Sequence, residues 1–142
     1  MRSTRLLRAL SALVLLLAAP SGCRRATDPD PLVGTWLATT FQVAPSGQGV
    51  INALTSGGTL GLNIANNFVV TGTLILPPAV TGGAPLTASL AGTAVRTGNS
   101  VQFTQSADTF VRNLTFTLVD NRLEAANQVV AGTTYDIVLT RQ

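Results

Sequence analysis

Thr59-Leu60-Gly61-Leu62-Asn63-Ile64-Ala65-Asn66-Asn67-Phe68-Val69-Val70-Thr71-Gly72-Thr73-Leu74-Ile75-Leu76 is the stretch that decides the fold class. Leu60, Leu62 and Ile64 fall on one face of an extended segment. Phe68, Val70, Leu74 and Leu76 share one face of the next, with Gly72 between them. An apolar period of two marks a half-buried strand, because successive side chains leave a pleated backbone on opposite sides. Asn66-Asn67 tolerates positive φ, so the two runs read as an antiparallel hairpin.

The same alternation extends outward. Leu86, Ala88, Leu90 and Ala94 alternate, then Val101 and Phe103, then Leu114, Phe116 and Leu118, then Leu123 and Ala125, and finally Tyr135, Ile137 and Leu139. The opposite faces carry Thr, Ser, Asn and Gln, which suit a wetted pleated surface. Gly98-Asn99 and Asp120-Asn121 supply two more tight turns. Longer loops are expected at 77–85, 106–111 and 128–132, with a helical turn near Val50–Leu54. The spacing predicts eight strands near 33–43, 58–65, 68–76, 86–96, 100–105, 112–119, 122–127 and 133–141, and no helical period after residue 22. Such strands either fold over as a sandwich or close on themselves. Consecutive hairpins without a long crossover favour closure into an all-β, eight-stranded antiparallel up-and-down barrel, which removes the exposed edges. A barrel of that size is filled by its own side chains or holds one small ligand.

The amino terminus has a different character. Arg2, Arg5 and Arg8 precede an apolar run from Ala9 to Ala19, broken only by Ser11, and Pro20-Ser21-Gly22 lead into Cys23, the single cysteine. Charge, apolar run and small residues in that order form the layout of a secretory leader. The run is too short to cross a bilayer, which needs about 20 residues. Residues 24–31, Arg-Arg-Ala-Thr-Asp-Pro-Asp-Pro, carry no apolar period and read as a flexible tether reaching at most ~27 Å.

Charge and composition exclude several functions. The formal net charge of +3 belongs to the leader. After it, Arg24, Arg25, Arg96, Arg112, Arg122 and Arg141 balance Asp28, Asp30, Asp108, Asp120, Glu124 and Asp136. Singly scattered arginines do not make the clustered basic face that nucleic acid requires. Lysine and histidine are absent, so the side chain best suited to proton transfer near neutral pH is missing. One cysteine cannot form an internal disulfide, and no residues have metal-ligand spacing. Of the domain's acids only Asp108 falls where it would line a barrel mouth, and all four read as solvated. Gly57-Gly58 and Gly82-Gly83 do not join a strand to a helix, so a phosphate cradle is not indicated. These absences predict a protein without catalytic residues, cofactor or metal.

The leader through Cys23 resembles a bacterial lipoprotein signal, although Pro20 stands where that family prefers leucine. The resemblance implies lipidation of Cys23, cleavage before it, and residence in the bacterial cell envelope. Residues 1–22 would be the leader, 23–31 the lipidated cysteine and tether, and 32–142 the folded domain. Arg24, in place of an aspartate after the cysteine, implies the outer membrane. Leu32-Val33-Gly34-Thr35-Trp36 on the first strand, Gly57-Gly58 before the second, and Ile137-Val138-Leu139-Thr140-Arg141 at the end are similar to bacterial lipocalin-like, calycin-type lipoprotein domains. That likeness implies a barrel whose end is plugged by Gly34, Trp36 and Arg141, the guanidinium lying over the indole. Trp36 has opposite parity to Leu37, Phe41 and Val43, so a bulge or an N-terminal cover must reconcile them. The chain is shorter than an ordinary lipocalin, which implies trimmed strands or loops.

Two function classes follow, neither enzymatic. In one, Leu62, Val70, Leu74, Leu90, Phe103, Phe116, Leu118, Tyr135 and Ile137 line a cavity for a small apolar or amphipathic ligand. In the other, the same residues fill the core, and the barrel serves as a protein-interaction, inhibitor or structural lipoprotein of the envelope.

Overall fold

The structure, a computed structural model, describes residues 29–142. The leader, Cys23 and most of the expected tether lie outside the described residues. The elements in order are β1 (Gly34–Ala44), β2 (Ile51–Asn52), β3 (Thr59–Ile64), β4 (Val69–Leu76), a helical turn α1 (Pro78–Thr81), β5 (Leu86–Ser89), β6 (Gly92–Thr97) and β7 (Ser100–Gln105). A 3-10 turn (Phe110–Asn113), β8 (Thr115–Val119), β9 (Arg122–Val130) and β10 (Thr133–Arg141) complete the chain.

Every pairing is between antiparallel neighbours, and β10 returns to β1 in register from Trp36↔Arg141 to Ala44↔Thr134. Closure leaves an eight-stranded antiparallel barrel, in which β5 and β6 are two parts of one wall strand and β2 is a short flap on β1. The strand expected over 86–96 is therefore broken at Leu90–Ala91. Backbones approach there where only glycine fits. A Cβ on Gly92 would lie 1.7 Å from the Thr104 carbonyl oxygen, and one on Gly72 would lie 2.2 Å from that of Gly61. Glycine inside a strand commonly marks such a close approach.

Several boundaries differ from the expectation for local reasons. The loop expected at 128–132 shrinks to a two-residue turn, Ala131-Gly132, with both residues at positive φ. That is the geometry matching the twist of a hairpin. At 66–68 the positive φ is taken by Phe68, not by an asparagine, so β4 starts one residue late. The helical turn expected near 50–54 is instead the flap β2 and a turn in which Asn52 Oδ1 accepts the backbone N–H of Leu54 and Thr55. The loop 77–85 contains α1, which Pro78 opens. Residues 112–114 belong to the 3-10 turn and its end, so β8 begins at Thr115.

Two bulges place the side chains. An extra residue at Thr39 shifts β1 against β10. It turns the inward set from Trp36 to Phe41 and Val43, because a one-residue slip exchanges the faces of a strand. The opposite parities in the sequence are reconciled at this point. A second bulge in β9 carries Asn127 at φ 50°. Past it, the Gln128 side chain accepts the Thr115 N–H at 2.8 Å and donates to the Thr115 carbonyl, standing in for a backbone ladder.

The interior is one contiguous apolar core that includes Leu32, Trp36, Phe41, Phe103, Phe116 and Leu139, with Phe103 and Phe116 in edge contact at 5.3 Å. Truncating Trp36, wholly buried and the largest member, leaves a void that neighbours held in a ladder cannot fill. Trp36→Ala should lower unfolding free energy by about 3–5 kcal/mol, measured by chemical denaturation. An unchanged midpoint would show that the ring is not part of the core's support.

Candidate functional site

The barrel has two unlike ends. At the hairpin end, the turns at 66–68, 98–99 and 120–121 gather around residues 29–33. Asp30 Oδ1 accepts the backbone N–H of Leu32 and an Arg96 Nη1 hydrogen, each at 2.8 Å, and the Asp30 carbonyl accepts the N–H of Val33. This turn drives Leu32 into the core. The Trp36 indole N–H then donates to the Leu32 carbonyl at 2.9 Å, so the buried ring's one polar atom is satisfied. Arg141 lies across the ladder from Trp36. Its guanidinium packs over Gly34, where an added Cβ would sit 2.9 Å from Nε. Gly34 also has φ 142°, so glycine is required there twice over. Gly34, Trp36 and Arg141, named from the resemblance, are neighbours at this end, with the guanidinium over Gly34; Leu32 and Asp30 are partners that sequence reasoning did not identify.

The loop end is closed by aromatic rings. Phe110, on the 3-10 turn, stacks on Tyr135 at 4.2 Å and 12° and tilts against Phe41 at 6.0 Å. An apolar Phe110-Val111 pair inside the Ser/Asp/Thr loop expected at 106–111 is the sequence signal for this lid. Beside it, Gln105 Oε1 accepts from the Thr109 hydroxyl, while Gln105 Nε2 is buried without a partner.

Between the ends, Leu62, Val70, Leu74, Leu90, Phe103, Phe116, Leu118 and Ile137 all belong to the packed core, none more than 5% exposed. Tyr135 is half-buried beneath Phe110. A depression bearing apolar side chains lies outside, on the wall of β1, β3 and β4. It is an open groove of roughly 500 Å3 lined by Thr35, Leu37, Leu54, Asn63, Thr71 and Thr73. Its floor is Gly61, whose missing side chain lets Leu37 lie flat on the sheet; an added Cβ would meet Leu37 Cδ2 at 3.0 Å. Sequence reasoning missed it because outward positions that look singly unremarkable become one surface only when the strands are aligned.

The acids do not converge. Asp108 is exposed and pairs with Arg112 at 2.6 Å, Glu124 pairs with Arg122 at 3.2 Å, and Asp120 occupies a hairpin turn at φ 53°. Among the described residues no three His, Cys, Asp or Glu side chains are grouped to hold a metal ion. No family model, curated protein or solved structure matches the chain.

Tyr135 offers a direct probe of the aromatic lid, being the only tyrosine in a chain without lysine. Burial pushes its pKa up, opposed in part by a hydrogen bond with the Thr133 side chain. The unfolded chain therefore loses this proton first. The group's contribution is full below the ordinary value of about 10 and is lost as pH rises through the folded value. Stability should fall as pH rises past the ordinary tyrosine value of about 10 in the wild type, and fall less in Tyr135→Phe. Parallel pH profiles of the two proteins would show that the phenol is not held under Phe110.

Proposed function

We propose that this is a lipid-anchored bacterial envelope protein whose lipocalin-like barrel is a filled scaffold, acting without catalysis through its outer surface on another envelope protein. The observation that carries the reading is the occupation of the barrel axis by its own side chains. Phe103 and Phe116 meet edge to edge there, and Leu62, Leu74, Leu90 and Ile137 surround them in the same core. An apolar ligand would have to displace packed aromatic rings, at a cost of several kcal/mol for each lost core contact set. A protein partner needs none of that displacement. It can bury apolar side chains already outside, such as Leu37 and Leu54 in the groove, against a rim of threonines that supplies hydroxyls for orientation.

The anchor half of the proposal rests on the Arg2–Cys23 leader, and the scaffold half on the interior. Each is checked separately. Labelling of cells with a palmitate analogue should mark the protein and vanish in Cys23→Ser; persistent labelling would place the acyl group elsewhere. Native mass spectrometry of the mature protein should show the polypeptide and its anchor alone, and an environment-sensitive apolar dye should give no saturable signal. A co-purified small molecule, released as the dye binds, would favour the ligand-carrying alternative.

A further inference from the structure

We propose that the hairpin end of the barrel rests on the lipid surface that holds the anchor, with Phe68, Val95, Val119 and Pro31 as the contact. The inference depends on the acylation of Cys23 proposed above. It starts from where the folded chain begins. Asp30 is tied to Arg96 at 2.8 Å, and Leu32 is buried directly behind it, so the amino-terminal segment leaves the barrel at a defined point on the hairpin end. Six residues separate Asp30 from Cys23, and the seven Cα–Cα steps between them reach at most ~25 Å at full extension.

The barrel's dimensions turn that reach into an orientation. The nine residues of β10 span ~30 Å along the strand, or about 23 Å between the ends once a barrel tilt of ~40° is allowed for. To set the loop end on the membrane, the tether would have to lie fully stretched along the wall. With the hairpin end down, it needs no extension.

The surface around the exit point is of the required kind. Two depressions flank Asp30 and Pro31. One is bordered by Phe68, Ala94 and Val95, the other by Leu118 and Val119, and Arg96 stands between them. Val95 is 52% exposed and Val119 37%, both near the ends of their strands on that side. Phe68 occupies its turn at positive φ, an unfavoured conformation for a bulky residue, which sets its ring beside this rim. Asp30, the first acid of the described residues, is neutralised by Arg96. Arg141 has no carboxylate partner among the described residues, and it sits at the same end. Arg24 and Arg25 follow the cysteine directly. Exposed apolar side chains interleaved with arginine suit the boundary between acyl chains and anionic headgroups.

Acylation of Cys23 would consume the chain's only thiol, so an introduced cysteine can be labelled alone. Val95→Cys and Val119→Cys report on the hairpin end. Ser46→Cys, exposed beside Gly132 at the loop end, reports on the far side. The full chain, processed in bacteria and reconstituted in phosphatidylglycerol-containing vesicles, is tagged with an environment-sensitive fluorophore and challenged with nitroxide-bearing lipids. Quenching at 95 and 119 should exceed that at 46 by about threefold or more, as expected for side chains seated at the headgroup boundary. Equal quenching at all three sites, or none at 95 and 119, overturns the inference. Shielding of position 95 from aqueous iodide without lipid quenching would assign that end to a protein partner and overturns it as well. Intact mass on the same sample separates the two layers of the argument. An acylated protein with an unquenched rim refutes only the orientation, whereas an unacylated one refutes the anchor and the orientation together.

Discussion

Closure of β10 onto β1 is the constraint on which the rest of this molecule depends. Among the described residues there is no disulfide, since no cysteine falls within them, and two of the three charged pairs are surface contacts of small worth. What holds the wall is a continuous ladder around an apolar interior. Open, the same strands would present two bare edges, an invitation to pair with other chains. The closed ring needs the first and last strands to meet with their inward faces aligned over a long register. The bulge at Thr39 provides that alignment. Without it, either Trp36 or the Phe41–Val43 set would point outward.

The two ends are built on different principles. The hairpin end is locked by polar bonds reaching a buried group: Asp30 holds the turn, the turn buries Leu32, and the Leu32 carbonyl receives the Trp36 indole. The loop end is closed by ring stacking over Phe41. Between the two ends the barrel is filled by its own side chains. Phe110 on its 3-10 turn is the only one of these seals carried by a loop rather than by a barrel strand or the segment leading into one.

Much of this was legible in the amino-acid order. The strands of residues 59–76 announce themselves through alternation, and five further runs repeat it. Legibility failed where a single backbone angle decides the outcome. Ala131-Gly132 looks like part of a loop, yet two positive φ values make it a tight turn and lengthen β9 by three residues beyond the expected Asn127. The break at Leu90–Ala91 was invisible because its cause is the close approach of Gly92 to Thr104, a neighbour on another strand. The outer groove was hidden for the same reason.

The order of residues alone determined which faces are apolar, how many times the chain reverses, and the balance of charge after residue 22. These depend on neighbours two to four positions apart, and the pleat converts them directly into an inside and an outside. The register of closure, the two bulges, the Gln128 amide that replaces a ladder and the side of the barrel from which the chain emerges were decided only by the tertiary structure. Each arises from contacts between residues distant along the chain, whose alignment is set by the twist and circumference of the whole ring.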